Sequence, residues 1–100
     1  MRALFLLPLL FATPAAALLS PWYDSGEKIM AILNSAEVAD AVRQAPIGAV
    51  SNIGTADSGN DLWQIRVQGC DLTVELIPEV PAKGMVGKVS YTARPIGPCD

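Results

Sequence analysis

The stretch that decides the fold is RVQGCDLTVEL, residues 66–76, where the phase of the apolar side chains changes. Three apolar side chains around it occupy odd-numbered positions and three occupy even-numbered positions: Trp63, Ile65, Val67, Leu72, Val74 and Leu76. Side chains alternate between the two faces of a strand, so one continuous strand would put one set on the wrong face. We therefore predict that the chain reverses here and forms an antiparallel hairpin.

The predicted reversal is a four-residue turn over residues 68–71, in which Gly69 supplies a positive φ and Cys70 lies at one end of the sheet. This register brings three apolar pairs face to face: Val67 with Leu72, Ile65 with Val74, and Trp63 with Leu76. All six side chains then share one face of the sheet.

Two further strands complete a predicted four-stranded antiparallel meander. Residues 47–53 form a weak first strand, and the turn cluster at 56–61 leads into the second. Residues 88–94 form the last strand, with Val89 facing Leu76 and Arg94 facing Asp71. The other face of the sheet is predicted to be polar and solvated: Gln64, Arg66, Gln68, Thr73, Glu75, Ser90, Thr92 and Arg94.

Helical spacing of apolar residues predicts either one kinked helix or two short helices over residues 25–44. Asp24 is the expected N-cap of the first helix, with Glu27 three residues later. Ser35 can cap a second helix, and Pro46 ends the helical region. The predicted fold class is α+β, with the helical segment covering the apolar face of the sheet.

The N-terminal sequence predicts a signal peptide over residues 1–17 and a single α+β domain over residues 18–100. Arg2 precedes an apolar run too short to span a bilayer as a stable helix, and small residues follow. Cleavage is expected after Ala17, with Ala15 as a second possibility, and a retained anchor is the competing interpretation. Export predicts a periplasmic or secreted location and no membrane span after processing.

Export also implies an oxidising compartment, where the only two cysteines are expected to pair as Cys70–Cys99. The cysteines lack the C-x-x-C spacing of redox sites, so a structural bridge is favoured over a redox-active one. The last strand runs toward the turn that contains Cys70. Residues 95–99 therefore form the tail that reaches it.

Composition argues against several classes of function. Removing the segment with Arg2 changes the formal net charge from −3 to −4, which disfavours nucleic acid and anionic lipid as partners. The chain contains no histidine, which excludes His-based catalytic triads and the commonest metal ligand. We expect no cofactor, no metal and no catalytic residues.

Three polar features have a chemical interpretation beside a structural one. The loop ADSGND, residues 56–61, could bind an ion, although turn chemistry explains the same residues. Glu75 could serve a small hydrolase, but its predicted neighbours Gln64 and Ser90 suggest a solvated sheet face. Arg66 and Arg94, with Lys88, could bind an acidic partner, but an ordinary mixed-charge surface is the favoured explanation.

The strongest candidate for binding is the long connection predicted over residues 77–87, which includes Pro78 and the stretch EVPAKGMVG at residues 79–87. Long loops on a rigid sheet often bind partners, and this one carries apolar residues. The residues proposed to contact a partner are Val80, Lys83, Met85 and Val86. The alternative is that Met85 and Val86 pack over the end of the sheet. Trp22 and Tyr23 are a second possible docking edge.

The sequence therefore predicts a small exported, non-enzymatic protein-binding module: an inhibitor, an immunity-type protein or an accessory subunit of an envelope complex. It would act as a monomer or a weak dimer. The alternative is a small-molecule or ion binder that uses the 56–61 loop or a pocket between helix and sheet. A helix followed by an antiparallel meander is similar in outline to cystatin-like and PepSY-like modules, a resemblance of architecture that carries no motif and implies no site.

Overall fold

The computed structural model describes residues 20–81, 87 and 89–100. Two helices precede a four-stranded antiparallel sheet with strand order β1-β2-β3-β4, so the predicted α+β fold is confirmed, with two short helices. The elements are α1 (Pro21–Leu33), α2 (Ala36–Ala41), β1 (Ile47–Thr55), β2 (Asp61–Val67), β3 (Cys70–Glu79) and β4 (Ser90–Ile96). The predicted signal peptide lies outside the described residues.

Helix α1 begins four residues before the predicted start at residue 25. Ser20 is the N-cap, and its hydroxyl accepts a hydrogen bond from the backbone N–H of Tyr23 at 3.3 Å. Pro21 occupies the first helical position, where its missing N–H costs nothing. Asp24, the predicted cap, instead lies in the first turn, where its charge suits the positive end of the helix.

Helix α2 is capped by Ser35, as predicted, through a hydrogen bond from the backbone N–H of Val38. It ends at Ala41, three residues before the predicted end at residue 44. Arg43 and Gln44 adopt left-handed conformations with φ of 57° and 55°, which turn the chain out of the helix and toward β1.

The hairpin between β2 and β3 reverses at the predicted place, but the predicted register is wrong by two residues. Val67 pairs with Cys70, so only Gln68 and Gly69 form the turn, and Gly69 has a φ of 104°. A shift of two residues returns every side chain to its original face. The observed apolar pairs are Ile65–Leu72 and Trp63–Val74.

The pairing of β3 with β4 differs from the prediction by four residues, again without changing faces. Leu76 pairs with Ala93, and Arg94 pairs with Glu75 rather than with Asp71. The difference arises because Pro78 and Pro95, which were expected in connections, lie inside β3 and β4.

The core lies between the helices and one face of the sheet. Its buried apolar side chains are Ile32, Val38, Val42, Trp63, Ile65, Val67, Leu72, Val74, Leu76 and Ala93. Both helices lie against β4, which leaves the β1 side of the sheet less covered. The indole N–H of Trp63 is buried and finds no hydrogen-bond acceptor among the described residues.

The disulfide between Cys70 and Cys99 joins the start of β3 to the chain beyond β4, with a Cα–Cα distance of 5.4 Å. Beside it, Asp71 and Asp100 exchange two backbone hydrogen bonds of 2.9 Å. The covalent bond and this short ladder hold the end of the chain against the sheet.

Reduction of the disulfide is expected to lower the free energy of unfolding by about 3–4 kcal/mol, since it frees a loop spanning 29 residues in the unfolded chain. Urea denaturation with and without reductant measures the loss. The double variant Cys70→Ser, Cys99→Ser is the control and should match the reduced protein. Equal stability of the oxidised and reduced forms would contradict the role assigned to this bond.

Candidate functional site

Strand β1 is an edge strand whose surface is unusually free of charge. Its sequence, IGAVSNIGT, contains no charged residue and no proline, and every residue except Val50 and Gly54 is exposed. It pairs with β2 on one side, and no described strand pairs with its other side. Edge strands commonly carry charges or prolines that prevent further pairing, and β1 has neither.

Two irregularities divide β1. The register with β2 shifts between Ile47 and Ala49 and again between Asn52 and Gly54. Bulges bend an edge strand and limit how far another strand can pair with it. The regular part of the edge is therefore residues 49–52, which pair without interruption with β2.

An apolar groove of about 210 Å³ lies beside β1, between the helices and the sheet. Within the described part of the chain no charged residue lines it, and the polar residues there are Ser35 and Gln44. The lining residues are Ile32, Leu33, Ser35, Val38, Ala39, Val42, Gln44, Ala45, Ile47 and Ile65. The volume lies below the range of about 300–1,000 Å³ typical of small-molecule pockets, so the groove suits a single apolar side chain better than a metabolite.

The groove exists because α2 is short and ends in a left-handed turn. Arg43 and Gln44 redirect the chain, and Ile47 opens β1 on the far side of the gap. Leu33, the last residue of α1, and Ile47 are both exposed at the groove. The edge strand and the groove therefore form one continuous uncharged surface, here called the β1 surface.

Glu75 lies on the opposite face of the sheet, and the prediction that it is solvated is wrong. It is only 5% exposed. Arg94 donates to Oε1 at 2.6 Å, and Ser58 and Asn60 each donate to Oε2 at 2.8 Å. The hydrogen bond from Arg94 has the largest effect, and the three together hold the pKa of Glu75 below its ordinary value of 4.5.

A carboxylate held by three donors with a lowered pKa is a weak general base, which disfavours the hydrolase hypothesis for Glu75. Its contacts have a structural effect instead. Ser58 and Asn60 belong to the loop between β1 and β2, so Glu75 fixes that loop over the outer face of the sheet.

The loop at residues 56–61 uses its polar groups within the chain. The backbone N–H of Ala56 donates to Asn60, that of Gly59 donates to Ala56, and Asp61 binds Lys28 at 2.5 Å. Within the described residues, no group of three His, Cys, Asp or Glu side chains is arranged to hold a metal ion. The proposed ion-binding role of this loop gains no support from its geometry.

A second polar cluster anchors α1 to the sheet. Lys28 binds Asp24 at 3.1 Å as well as Asp61, and its Nζ lies 5.3 Å from the centroid of the Tyr91 ring. The Tyr91 hydroxyl donates to Asp24 at 2.7 Å. Burial, together with this bond to a carboxylate, raises the pKa of Tyr91 to about 12.

The structure places few of the binding residues expected from the sequence. Val80 follows β3 and is 74% exposed, whereas Lys83, Met85 and Val86 lie outside the described residues. Arg66 binds Asp71 through two hydrogen bonds of 2.9 and 3.1 Å, and Arg94 binds Glu75. Both arginines therefore belong to a mixed-charge surface.

The β1 surface was not expected from the sequence. The lack of charge in residues 47–55 was visible there, but the groove depends on where α2 ends. No protein-family model, curated protein or solved structure matches the chain. Within the described residues, no helix is both long enough and apolar enough to cross a membrane.

Substitution of Tyr91 by Phe is expected to remove a tyrosine titration near pH 12 and to lower the free energy of unfolding at neutral pH by about 1 kcal/mol. A raised pKa in the folded state means that this stabilisation is complete below the ordinary value of 10.0 and is lost as the pH rises through about 12. Ultraviolet absorbance titration and urea denaturation measure the two effects. Tyr23→Phe is the control, and a loss of the high-pH titration in that variant instead would contradict the assignment.

Substitution of Glu75 by Gln is expected to lower stability at neutral pH, because Arg94 loses its charged partner on the sheet. A lowered pKa in the folded state contributes stability above the ordinary value of 4.5, which disappears as the pH falls through the folded value. The variant should therefore lose part of the wild-type decrease in melting temperature under acid. An unchanged acid dependence in Glu75→Gln would show that other carboxylates cause it.

Proposed function

We propose that this protein is an exported protein-binding module that binds an extended segment of its partner along the β1 surface. The observation that carries the proposal is the uncharged edge of β1 beside an apolar groove. Backbone groups along residues 49–52 offer hydrogen bonds to an added strand, and the groove accepts an apolar side chain from it.

This combination supplies both affinity and selectivity. In strand addition, main-chain hydrogen bonds provide affinity for any extended peptide, and pockets for alternate side chains select the sequence. The regular part of β1 is short, so the groove has to contribute much of the selectivity between partner sequences. A partner segment with few charges fits best, because a charge would lose its hydration in the groove.

The proposed location is the periplasm or the extracellular space. The apolar N-terminal sequence with its small residues supports a signal peptide at residues 1–17. The disulfide between Cys70 and Cys99 supports an oxidising compartment. The partner is accordingly proposed to be a protein of the cell envelope, and the module an inhibitor, an immunity-type protein or an accessory subunit.

The loop after β3 remains a second proposed contact region, since Val80 is highly exposed. The β1 surface and this loop make different predictions about which substitutions weaken binding. That difference provides the test.

Selection from a displayed library of random peptides is expected to enrich sequences with an apolar residue and few charges. Binding to the purified protein, measured by fluorescence anisotropy, should weaken at least about tenfold in Ile47→Glu, or about 1.4 kcal/mol. Ile47 is 55% exposed, so this substitution should leave the fold intact. Amide chemical shifts should change along β1 and α2 when peptide is added.

The matched control is Val80→Glu, which adds the same charge at an exposed apolar position far from the groove in sequence. It should bind the selected peptides as the wild type does. The reverse result, with binding lost in Val80→Glu and retained in Ile47→Glu, would assign binding to the loop after β3. No enriched peptide at all would remove the support for a strand-addition site.

A further inference from the structure

Helix α1 has an exposed apolar face in addition to the face that packs on the core. Its exposed residues between the N-terminus and Leu33 carry no charge: Pro21, Trp22, Tyr23, Gly26, Met30 and Leu33. With 3.6 residues per turn, the last five lie within an arc of about 100° on the helix surface. The stripe of Trp22, Tyr23, Gly26, Met30 and Leu33 is here called the outer face of α1.

The outer face begins about 80° around the helix from Ile32, which is buried in the core, and extends to the opposite side. Trp22 is 80% exposed and Tyr23 is 67% exposed, while Met30 and Leu33 are about half-exposed. Ile29, which packs against the core, lies between Ile32 and the outer face, so the apolar arc of α1 is continuous and only part of it is covered. An exposed apolar patch of this kind commonly marks an interaction surface.

Gly26 lies at the centre of this face. A glycine inside a helix destabilises it relative to alanine, and the protein's own packing does not require one here. A Cβ at Gly26 would meet no atom within 4 Å. A glycine at that position allows another backbone to approach closely.

The spacing around Gly26 is symmetric, which suits a second copy of the chain as the occupant. Trp22 and Met30 each lie four residues from Gly26. A two-fold axis at Gly26 would run α1 of a second copy antiparallel and put Trp22 of each copy against Met30 of the other. Such an interface is self-complementary, as two-fold contacts must be, and it pairs a sulfur with an aromatic ring.

We propose that the outer face of α1 is a homodimer contact in which two copies pack antiparallel about Gly26. No residue of the stripe itself is charged, which limits like-charge repulsion where the two copies touch. The apolar area available to both copies together is about 1,000 Å², below the standard size of stable interfaces, so the dimer is weak. The outer face shares Leu33 with the groove of the β1 surface, whereas the substitutions that test the dimer, at Trp22 and Met30, lie outside that groove.

The test is sedimentation velocity over micromolar to millimolar concentrations, on protein purified from cells that export it, with its N-terminus identified by intact mass. The wild type should associate reversibly into a dimer. Trp22→Glu and Met30→Lys should each raise the dissociation constant at least about tenfold, because each places a charge in an apolar contact. Both positions are exposed, so unchanged circular dichroism and melting temperature at low concentration are expected.

The combined variant Trp22→Glu, Met30→Lys is the decisive measurement. In the antiparallel arrangement, the new carboxylate of one copy faces the new ammonium of the other, so association should recover toward the wild-type level. Gly26→Ala should have opposite effects on the folding of the monomer and on dimerisation. It should raise the melting temperature of the dilute monomer and weaken the dimer.

Ile53→Glu is the control, since Ile53 is an exposed apolar residue on β1, and it should leave dimerisation unchanged. A monomer at every concentration would overturn the proposal and would leave a lipid surface, the N-terminal residues or another protein as the occupant. A dimer unaffected by Trp22→Glu and Met30→Lys, or one dissociated by Ile53→Glu, would also overturn it. Failure of the combined variant to recover association would overturn the antiparallel geometry.

Discussion

The reversal of the chain at Gln68 and Gly69 is the constraint on which the rest of this structure depends. It puts the apolar side chains of β2 and β3 on one face, where neither strand could bury them alone. That face needs a cover, which α1 and α2 supply with Ile32, Val38 and Val42. The position of the helices is thus a consequence of the hairpin.

The same alternation sends Glu75 to the opposite face, where a lone carboxylate would be solvated. The loop between β1 and β2 instead folds over it, and Arg94 on β4 completes its hydrogen bonds. One side chain therefore links a loop and two strands on the face against which no described helix packs. Away from Glu75 the outer face of the sheet stays largely exposed, and exposed apolar surface also remains at β1 and on the outside of α1.

The sequence predicted which side chains face the core, because in a strand this depends only on whether residue numbers are odd or even. Both hairpin registers differ from expectation by an even number of residues, which preserved the core. Register itself depended on turn length, and Gly69 fits a two-residue turn as well as a four-residue one. Proline usually marks the end of a strand, so Pro78 and Pro95 led to strand ends that were predicted in the wrong places. Each proline lies where its strand has a single neighbour, and a missing N–H is tolerated there.

The features that the sequence did not predict involve residues far apart in the chain. Glu75 accepts hydrogen bonds from residues 15 to 19 positions away, and its neighbours Val74 and Leu76 give no indication of a buried carboxylate. The groove depends on Arg43 and Gln44, two residues that seldom adopt a left-handed conformation. Apolar spacing and capping residues predict α2 itself, but not the left-handed turn by which the chain leaves it.

The bond between Cys70 and Cys99 also determines how the protein responds to mechanical force. A pull on Asp100 passes through Cys99 directly to Cys70, across a sequence separation of 29 residues, and bypasses β4. The residues inside that closed loop bear no tension until the bond is reduced. A protease or translocase that draws the chain in from this side meets the cross-link at Cys99, where three chain segments would have to enter together unless the bond is reduced.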